Sequence, residues 1–427
     1  MRRPLLFLAA FPALLAAQSA SRSPARVDTR VDTRVDNGFS AERLRRVDAY
    51  LQQQVDSDRI AGAVGLVLRD GKVVYERALG WADKERGHRM SADAMFRIAS
   101  QTKALTSIAI MMLLEEGKVA LGNPVSRFIP AYARTTVMVN GEVVPAKRPI
   151  TIRDLLTHTA GISYGTDSAL ATLYLEKGLG PAAGWGWYTA DKDEPVCSTM
   201  ERLASLPFLR QPGEAWVYGY NTDILGCVVE KVSRVSLEEF IRTRITGPLR
   251  MNDTYFFVPP AQRDRLVAVY ASDTGNRIAR APDGARGQGD YVEGPRRSFS
   301  GGAGLVSTAR DYARLLQMLL NGGELDGVRI LSPQTVALMT TNQTGTLFPA
   351  NGEGFGLGFS ILERLGADNS LYSVGSFGWG GAYGSQYMVD PKQGIVLVFM
   401  LNQLPDRSDT SAKFPTLVYQ ALTTLRN

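Results

Sequence analysis

A serine and a lysine lie one helical turn apart at the start of a long, mostly apolar segment. Ser100 precedes Lys103 by three positions, and residues 104–114 predict a buried helix. In the first turn of a helix a backbone N–H lacks an intrahelical partner, and the helix dipole favours negative charge. Buried beside the serine, the Lys103 ammonium would lose hydration, which favours the neutral amine that can take the Ser100 proton. We therefore predict a nucleophile, Ser100, and its base, Lys103.

A tyrosine is the third candidate for proton transfer. Tyr218 lies in the turn-rich segment QPGEAWVYGY, which leads into the apolar stretch 224–229. A phenol held near Ser100 and Lys103 can carry a proton to a leaving alkoxide. We predict that Tyr218 shares the base role with Lys103.

A glycine-rich segment, FGWGGAYG, could bind a substrate. Glycines in an edge strand allow a substrate to approach and pair with the backbone, so we expect Trp379, Gly380 and Gly381 to contact it. The backbone N–H of Ala382, with that of Ser100, would form an oxyanion hole. Taken alone, each of the three motifs also fits a structural reading as a helix cap, a packed aromatic residue or a glycine bend.

The elements that must position these residues lie at both ends of the chain. They are a helix over 40–55, a hairpin of 63–68 and 73–79 joined by Asp70-Gly71, a second hairpin of 386–389 and 395–401, and a helix over 411–425. A helix- and loop-rich middle separates them. We predict a discontinuous sheet domain (39–119 and 296–427), a mainly helical lobe (120–295) and a cleft between them.

Two longer segments carry a family resemblance. Residues 149–161 read PITIRDLLTHTAG and residues 301–312 read GGAGLVSTARDY. With Ser100 and Lys103, they resemble the serine β-lactamase and penicillin-binding protein family, and within it the class C-related family VIII carboxylesterases. The similarity runs from about residue 39 to the C-terminus. It implies an α/β fold of the α+β type, with an antiparallel sheet flanked by helices and a mostly helical lobe.

The departures from that family's patterns concern substrate recognition. Where β-lactamases and D-alanyl-D-alanine peptidases carry Lys-Thr-Gly, this chain has Trp379-Gly380-Gly381, and their Tyr-x-Asn is here Tyr218-Gly219-Tyr220. The resemblance therefore implies hydrolysis of uncharged small-molecule esters through an acyl-enzyme, with Tyr220 among the substrate contacts. Acyl transfer, β-lactam or peptide hydrolysis, and an inactive scaffold remain the alternatives.

A different hydrolase class is suggested by residues 161–165, which match Gly-x-Ser-x-Gly around Ser163. That motif needs a preceding strand and a later histidine, yet His88 and His158 both precede it. We expect His158 to be structural, His88 to be a surface residue and Asp154 to be an anchor of a helix or loop.

The N-terminus has the pattern of an export signal. Residues 1–20 combine a basic head, a short apolar run and small residues, which predicts a cleavable signal peptide, and residues 21–38 predict a mobile leader. We expect a periplasmic or secreted protein without a membrane span in its mature chain.

Composition narrows the set of partners. The formal net charge of +6 comes without a basic stripe, so nucleic acid is not an expected partner, and without a Cys/His cluster neither a metal nor another cofactor is expected. Cys197 and Cys227 could form a disulfide, but Cys227 lies in an apolar run, which favours unpaired core cysteines. The oligomeric state stays open. The rings of Trp185, Trp187 and Tyr188 line either the cleft or the core.

Overall fold

The computed structural model describes residues 37–179, 191–284, 287–367 and 370–426. The predicted signal peptide, residues 21–36 of the predicted leader and the rings of Trp185, Trp187 and Tyr188 lie outside these residues. The helices are α1 Ala41–Asp56, α2 Thr102–Glu115, α3 Ile152–Leu156, α4 Ala171–Glu176, α5 Val196–Leu203, α6 Asn221–Ser233, α7 Leu237–Ile241, α8 Ala309–Leu320, α9 Pro333–Met339 and α10 Thr410–Tyr419. The strands are β1 Gly62–Arg69, β2 Lys72–Asp83, β3 His88–Arg89, β4 Phe96–Arg97, β5 Thr136–Val139, β6 Glu142–Pro145, β7 Pro207–Phe208, β8 Tyr270–Ser272, β9 Ile278–Arg280, β10 Val306–Ser307, β11 Glu324–Leu325, β12 Val328–Arg329, β13 Glu353–Phe355, β14 Ser360–Leu362, β15 Phe377–Gly380, β16 Gln386–Asp390 and β17 Ile395–Met400. Within the described ranges, no helix is long and apolar enough to cross a bilayer.

Eight strands from the two ends of the chain form one antiparallel sheet. Its order is β13-β14-β15-β16-β17-β1-β2-β3. The central pairing of β1 with β17 places Val64 opposite Met400. Both predicted hairpins are present, β1 with β2 around Asp70-Gly71 and β16 with β17. The sheet therefore joins segments that are more than 250 residues apart in the sequence.

The two faces of the sheet pack into two different cores, because successive side chains of a strand point to opposite faces. Val64 and Val398 lie in the core with α2 and α8. Val67 and Phe399 lie in the core with α1 and α10. Helix α1 is amphipathic, with Ser40 as its N-cap and its buried residues at Leu44, Val47, Leu51 and Val55.

Helices α3 to α7 lie between the two groups of sheet strands in the sequence, and α6 packs against α2. This middle part also contains a small sheet in the order β6-β5-β7, which the prediction of a mainly helical lobe did not include. The predicted fold class, an antiparallel sheet flanked by helices with a helix-rich part, is confirmed. The described residues form one compact unit. The boundaries of the sheet domain and the helical lobe stay a prediction.

The prediction of unpaired cysteines is wrong. Cys197 of α5 and Cys227 of α6 form a disulfide, with their Cα atoms 5.0 Å apart. The apolar run around Cys227 does place it in the core, but α5 packs beside α6 and brings Cys197 to the same position. Burial of Cys227 is therefore compatible with a disulfide. The disulfide forms because α5 packs against α6 and places the two cysteines side by side.

Candidate active site

Ser100 lies on a short 3₁₀ turn, Ala99–Gln101, directly before α2, rather than in the first turn of the α-helix itself. Ala99 has a φ of +42°, a conformation that costs energy for a residue with a side chain and often occurs beside catalytic groups. The pairing of β4 with β10 fixes the turn, because the Ile98 N–H donates to the Leu305 carbonyl and the Leu305 N–H to Thr102 Oγ1. Thus Leu305, within the 301–312 segment singled out from the sequence, supports the turn that carries Ser100.

Lys103 is 2% exposed and its ammonium nitrogen contacts three oxygen atoms. Nζ lies 3.2 Å from Ser100 Oγ, 3.0 Å from Tyr164 Oη and 2.7 Å from the Gly302 carbonyl oxygen. These three acceptors match the three protons of an ammonium group. The arrangement can pass a proton between Ser100 and Lys103, because the two side chains are within hydrogen-bond reach.

Tyr218 lies three residues before α6, and its ring packs against Lys103. Lys103 Nζ is 4.7 Å from the centroid of that ring. The hydroxyl of Tyr218 accepts a hydrogen bond from Trp379 Nε1 at 3.1 Å. The indole N–H of Trp379 is therefore directed at Tyr218. Besides its predicted contact with the substrate, Trp379 holds the Tyr218 hydroxyl in place.

Tyr164 is a residue of the site that the sequence reasoning missed. Its hydroxyl accepts from Lys103, and its ring contacts that of Tyr218 edge-on with centroids 5.5 Å apart, so it lies between the two. Burial raises the pKa of Tyr164 well above its ordinary value, and the neighbouring Tyr218 and Asp223 add to the effect. Tyr164 is therefore a neutral phenol. Its sequence signal was its place beside Ser163, just after the 149–161 segment that carries the family resemblance.

Strand β15 carries Trp379 and Gly380, and the turn that follows approaches the nucleophile. Gly381 is required by this close approach, since a Cβ there would lie 2.6 Å from the Ile98 carbonyl oxygen. Ala382 follows in the same turn. Neither the Ser100 N–H nor the Ala382 N–H has a protein acceptor among the described residues, so both can donate to a substrate oxygen.

The prediction that this strand is an edge strand is wrong, because β14 pairs with it on the outer side. That pairing covers Phe377 and Gly378 only. Trp379 and Gly380 extend beyond it and pair with β16 alone. The end of β15 nearest the nucleophile thus keeps an outer side without a strand partner in the sheet.

Aromatic rings surround Tyr218. Trp216 stacks on Tyr218 with ring centroids 5.6 Å apart, and it contacts Phe348 at 5.0 Å and Trp379 at 6.2 Å. All four rings are partly exposed. We call Trp216, Phe348 and Trp379 the aromatic wall. It offers apolar contact area beside the tyrosine hydroxyl.

His158 packs beneath Tyr218 with ring centroids 4.8 Å apart, and its Nδ1 is 2.9 Å from Asn221 Nδ2. Burial, and then the positive charge of Lys103, lowers the pKa of His158 well below its ordinary value. The neutral ring thus supports Tyr218 from a helix-loop contact, which agrees with the expected structural role.

Four other residues discussed from the sequence lie outside the Ser100–Lys103 contact. Ser163 donates to Asp167 at 2.7 Å and accepts from the Gly165 N–H, so its hydroxyl is engaged with neighbours other than a histidine. His88 is exposed, and Asp154 caps α3 and binds Arg148. Tyr220 is 4% exposed and donates to the Leu179 carbonyl, so burial behind Tyr164 argues against the predicted substrate contact.

Within the described parts of the chain, no group of three or more His, Cys, Asp or Glu residues could hold a metal ion. The chemistry that this site can perform with its own residues is nucleophilic attack by a serine, with proton transfer through a lysine and a tyrosine pair.

Comparison with known proteins identifies the class. The profile of the Beta-lactamase family matches residues 47–420, so the chain belongs to this family, whose members are serine hydrolases. Esterase EstB of Burkholderia gladioli is 32% identical over 379 residues, which cover 85% of this chain and 91% of EstB. The family resemblance seen in the sequence is confirmed.

Two solved structures are similar over most of their length. EstCE1, described as a hydrolase with promiscuous acyltransferase activity, has a TM-score of 0.74 and 29% identity, and the match covers 90% of this chain and 99% of EstCE1. Simvastatin synthase (LovD) from Aspergillus terreus has a TM-score of 0.71 and 23% identity, over 90% and 98% of the two chains. The second likeness concerns the fold alone.

Proposed function

We propose that this protein is a carboxylesterase that cleaves uncharged esters through a covalent acyl-enzyme on Ser100. The observation that carries the proposal is the 3.2 Å contact between Ser100 Oγ and the buried Lys103 Nζ. Ser100 Oγ attacks the ester carbonyl carbon while its proton passes to Lys103 Nζ, which accepts it in the amine form. The N–H groups of Ser100 and Ala382 stabilise the oxyanion, as their position beside the nucleophile allows.

The second half of acylation needs a proton at the leaving alcohol. The tetrahedral intermediate expels the alkoxide, which takes a proton from Tyr218, and Tyr218 regains one from Lys103 through Tyr164. Water then attacks the acyl-enzyme carbonyl and loses a proton to the same groups. The Ser100 oxygen leaves the tetrahedral intermediate, takes that proton back, and the acid is released. The hydrogen bond of Tyr164 with Lys103 and its ring contact with Tyr218 support this route.

The aromatic wall supports an uncharged substrate. An indole at position 379 supplies apolar contact, and its single N–H is already directed at Tyr218. A substrate carboxylate would gain no charge-assisted hydrogen bond from the Trp379 indole. Such a bond is worth about 1.5–3 kcal/mol, or roughly 10- to 150-fold in binding. The name of the relative EstB, an esterase, agrees with the proposal.

The test compares p-nitrophenyl acetate with nitrocefin at neutral pH and labels the protein with a fluorophosphonate. We expect kcat/KM for the ester to exceed that for the β-lactam by about 100-fold or more. Ser100→Ala should abolish ester hydrolysis and labelling, whereas the matched variant Ser163→Ala should keep most of the rate. Comparable nitrocefin turnover would contradict the esterase proposal, and absence of labelling would favour an inactive scaffold.

Acyl transfer is a second candidate. The aromatic wall could bind an alcohol acceptor beside Tyr218 as well as a leaving alcohol, and EstCE1 is described as having promiscuous acyltransferase activity. Product analysis with benzyl alcohol present separates the two, because transfer yields a benzyl ester whereas hydrolysis yields the acid alone.

We also propose that the protein is exported. The pattern of residues 1–20 motivates the proposal, and a disulfide between α5 and α6 supports it, since disulfides persist mainly in oxidising compartments. N-terminal sequencing of protein recovered from the periplasm or medium would detect removal of the first ~20 residues. An intact Met1 in a cytosolic fraction would contradict it.

A further inference from the structure

A buried carboxylate lies behind the lysine of the proposed mechanism without taking part in it. Asp223, in the first turn of α6, is 4% exposed. Ser300 Oγ donates to Asp223 Oδ1, and the Gly302 N–H donates to the same oxygen at 3.2 Å. The Ala303 N–H in turn donates to Ser300 Oγ at 3.1 Å. Asp223 therefore organises the turn formed by residues 300–303.

The same turn accepts a hydrogen bond from Lys103. The Gly302 carbonyl oxygen lies 2.7 Å from Lys103 Nζ, so a single peptide residue accepts from the lysine and donates to the aspartate. Thr106 Oγ1 fixes the neighbouring Gly301 carbonyl at 2.9 Å. The approach is so close that a Cβ on Gly302 would meet Asp223 Oδ2 at 2.4 Å, which explains the glycine at this position.

The titratable groups that face Asp223 and Lys103 change their protonation state only with difficulty. Tyr132 and Tyr164 face Asp223, and burial raises the pKa of both far above the ordinary value. Tyr218 and His158 face Lys103, and burial keeps His158 neutral. Burial also raises the pKa of Asp223, while the Ser300 hydroxyl, the Lys103 charge and the Gly302 N–H oppose that change. These three partners all favour the ionised carboxylate.

We propose that Asp223 is a positioning residue, which acts on Lys103 through the backbone of Gly302. Its carboxylate orients the Gly302 carbonyl towards Nζ, and its negative charge favours a proton on Lys103, which makes the amine a stronger base for Ser100. The inference rests on the proposed role of Lys103 as base. It gives the 301–312 segment a function beyond support of the nucleophile turn.

The test measures the second-order rate of Ser100 labelling by a fluorophosphonate from about pH 5 to about pH 9 in the full-length protein. Asp223→Asn keeps the shape and the acceptor oxygen but removes the charge. We expect the maximal rate to fall roughly 10- to 100-fold. The acidic limb of the plot of labelling rate against pH should move to lower pH, because loss of the nearby negative charge favours the neutral amine of Lys103.

The matched control is Asp311→Asn, in the first turn of α8. Asp311 is also a buried carboxylate, which accepts from the Asp253 N–H at 2.7 Å and from Thr254 Oγ1 at 3.0 Å. This variant should label at the wild-type rate with an unmoved limb. A slowed Asp223→Asn enzyme whose acidic limb stays in place would show a merely structural role and overturn the proposal, as would wild-type labelling at every pH.

Ser300→Ala provides a second variant if Asp223→Asn does not fold. It removes a hydrogen bond that stabilises the carboxylate, so the acidic limb should shift in the same direction by a smaller amount. A limb at the wild-type position would then overturn the proposal. Because labelling requires a reactive Ser100 but no ester turnover, a wrong assignment of the substrate class would appear in the ester assay alone, whereas an inactive scaffold would leave the wild-type protein unlabelled.

Discussion

The hydrogen bond from Trp379 Nε1 to Tyr218 Oη can be removed while an aromatic ring is kept at position 379. Trp379→Phe deletes the donor that lies 3.1 Å from the phenol oxygen. A bond to the neutral phenol is worth about 1 kcal/mol, and a bond to the phenolate that develops as Tyr218 gives up its proton about 2–2.5 kcal/mol. The difference of about 1.4 kcal/mol should appear as a roughly tenfold loss of kcat/KM.

The loss should depend on the leaving alcohol. An ethyl ester needs a proton on its departing oxygen, whereas p-nitrophenolate leaves without one, so the full effect is expected for ethyl acetate and a smaller effect for p-nitrophenyl acetate. Both rates are measured for the same enzyme preparations, by pH-stat and by absorbance.

Trp216→Phe is the matched control for this prediction. Trp216 also stacks beside Tyr218, but its Nε1 is buried without a hydrogen-bond partner among the described residues. The same substitution there removes an indole N–H that bonds nothing, and we expect less than about a twofold change in kcat/KM. Equal losses in the two variants, or a loss at Trp379 that ignores the leaving group, would refute the assignment.

Three further outcomes are expected. Phe348→Ala should lower kcat/KM for phenyl acetate about tenfold and leave that for ethyl acetate unchanged, because a partly exposed ring of the aromatic wall is lost. Equal losses for these two esters of one acid would contradict a role on the alcohol side. Replacing Cys197 and Cys227 by serine opens a loop with a sequence separation of 30, so urea unfolding should show a loss of about 3.5 kcal/mol; an unchanged midpoint would contradict it. Burial raises the pKa of Asp311 from 3.8 to about 6, so the folded state binds the Asp311 proton more tightly than the unfolded state does. The contribution of Asp311 to wild-type stability therefore falls as pH rises from about 4 to about 6. The free energy of unfolding of Asp311→Asn, relative to that of wild type, should therefore be up to about 3 kcal/mol higher at pH 7 than at pH 4. A difference between the two proteins that does not change with pH would refute this.

Local features of the sequence determined several elements directly. The Ser40 cap and the apolar spacing of α1 predicted that helix, and Asp70-Gly71 between two β-rich runs predicted the β1–β2 hairpin. The contact of Ser100 with Lys103 also follows from local spacing, because residues three apart in a helical turn lie on the same face. Each of these depends on neighbours in the chain, which a sequence pattern records.

The remaining contacts of the site join residues that are far apart in the chain. Tyr164 lies 61 positions from Lys103, the Gly302 carbonyl lies 199 positions away, and Trp379 lies 161 positions from Tyr218. The disulfide likewise depends on α5 packing beside α6.

The strand pairing around β15 shows the same limit. Its glycines and its place before a hairpin predicted an exposed edge, but β14 pairs with it over Phe377 and Gly378. Which strand forms that pair depends on how the whole sheet is assembled, because backbone hydrogen bonds between strands carry no side-chain signature. The residue types that could perform ester chemistry were thus visible in the sequence, whereas their hydrogen-bond partners were decided by tertiary packing, which sets distances between segments that no local spacing relates.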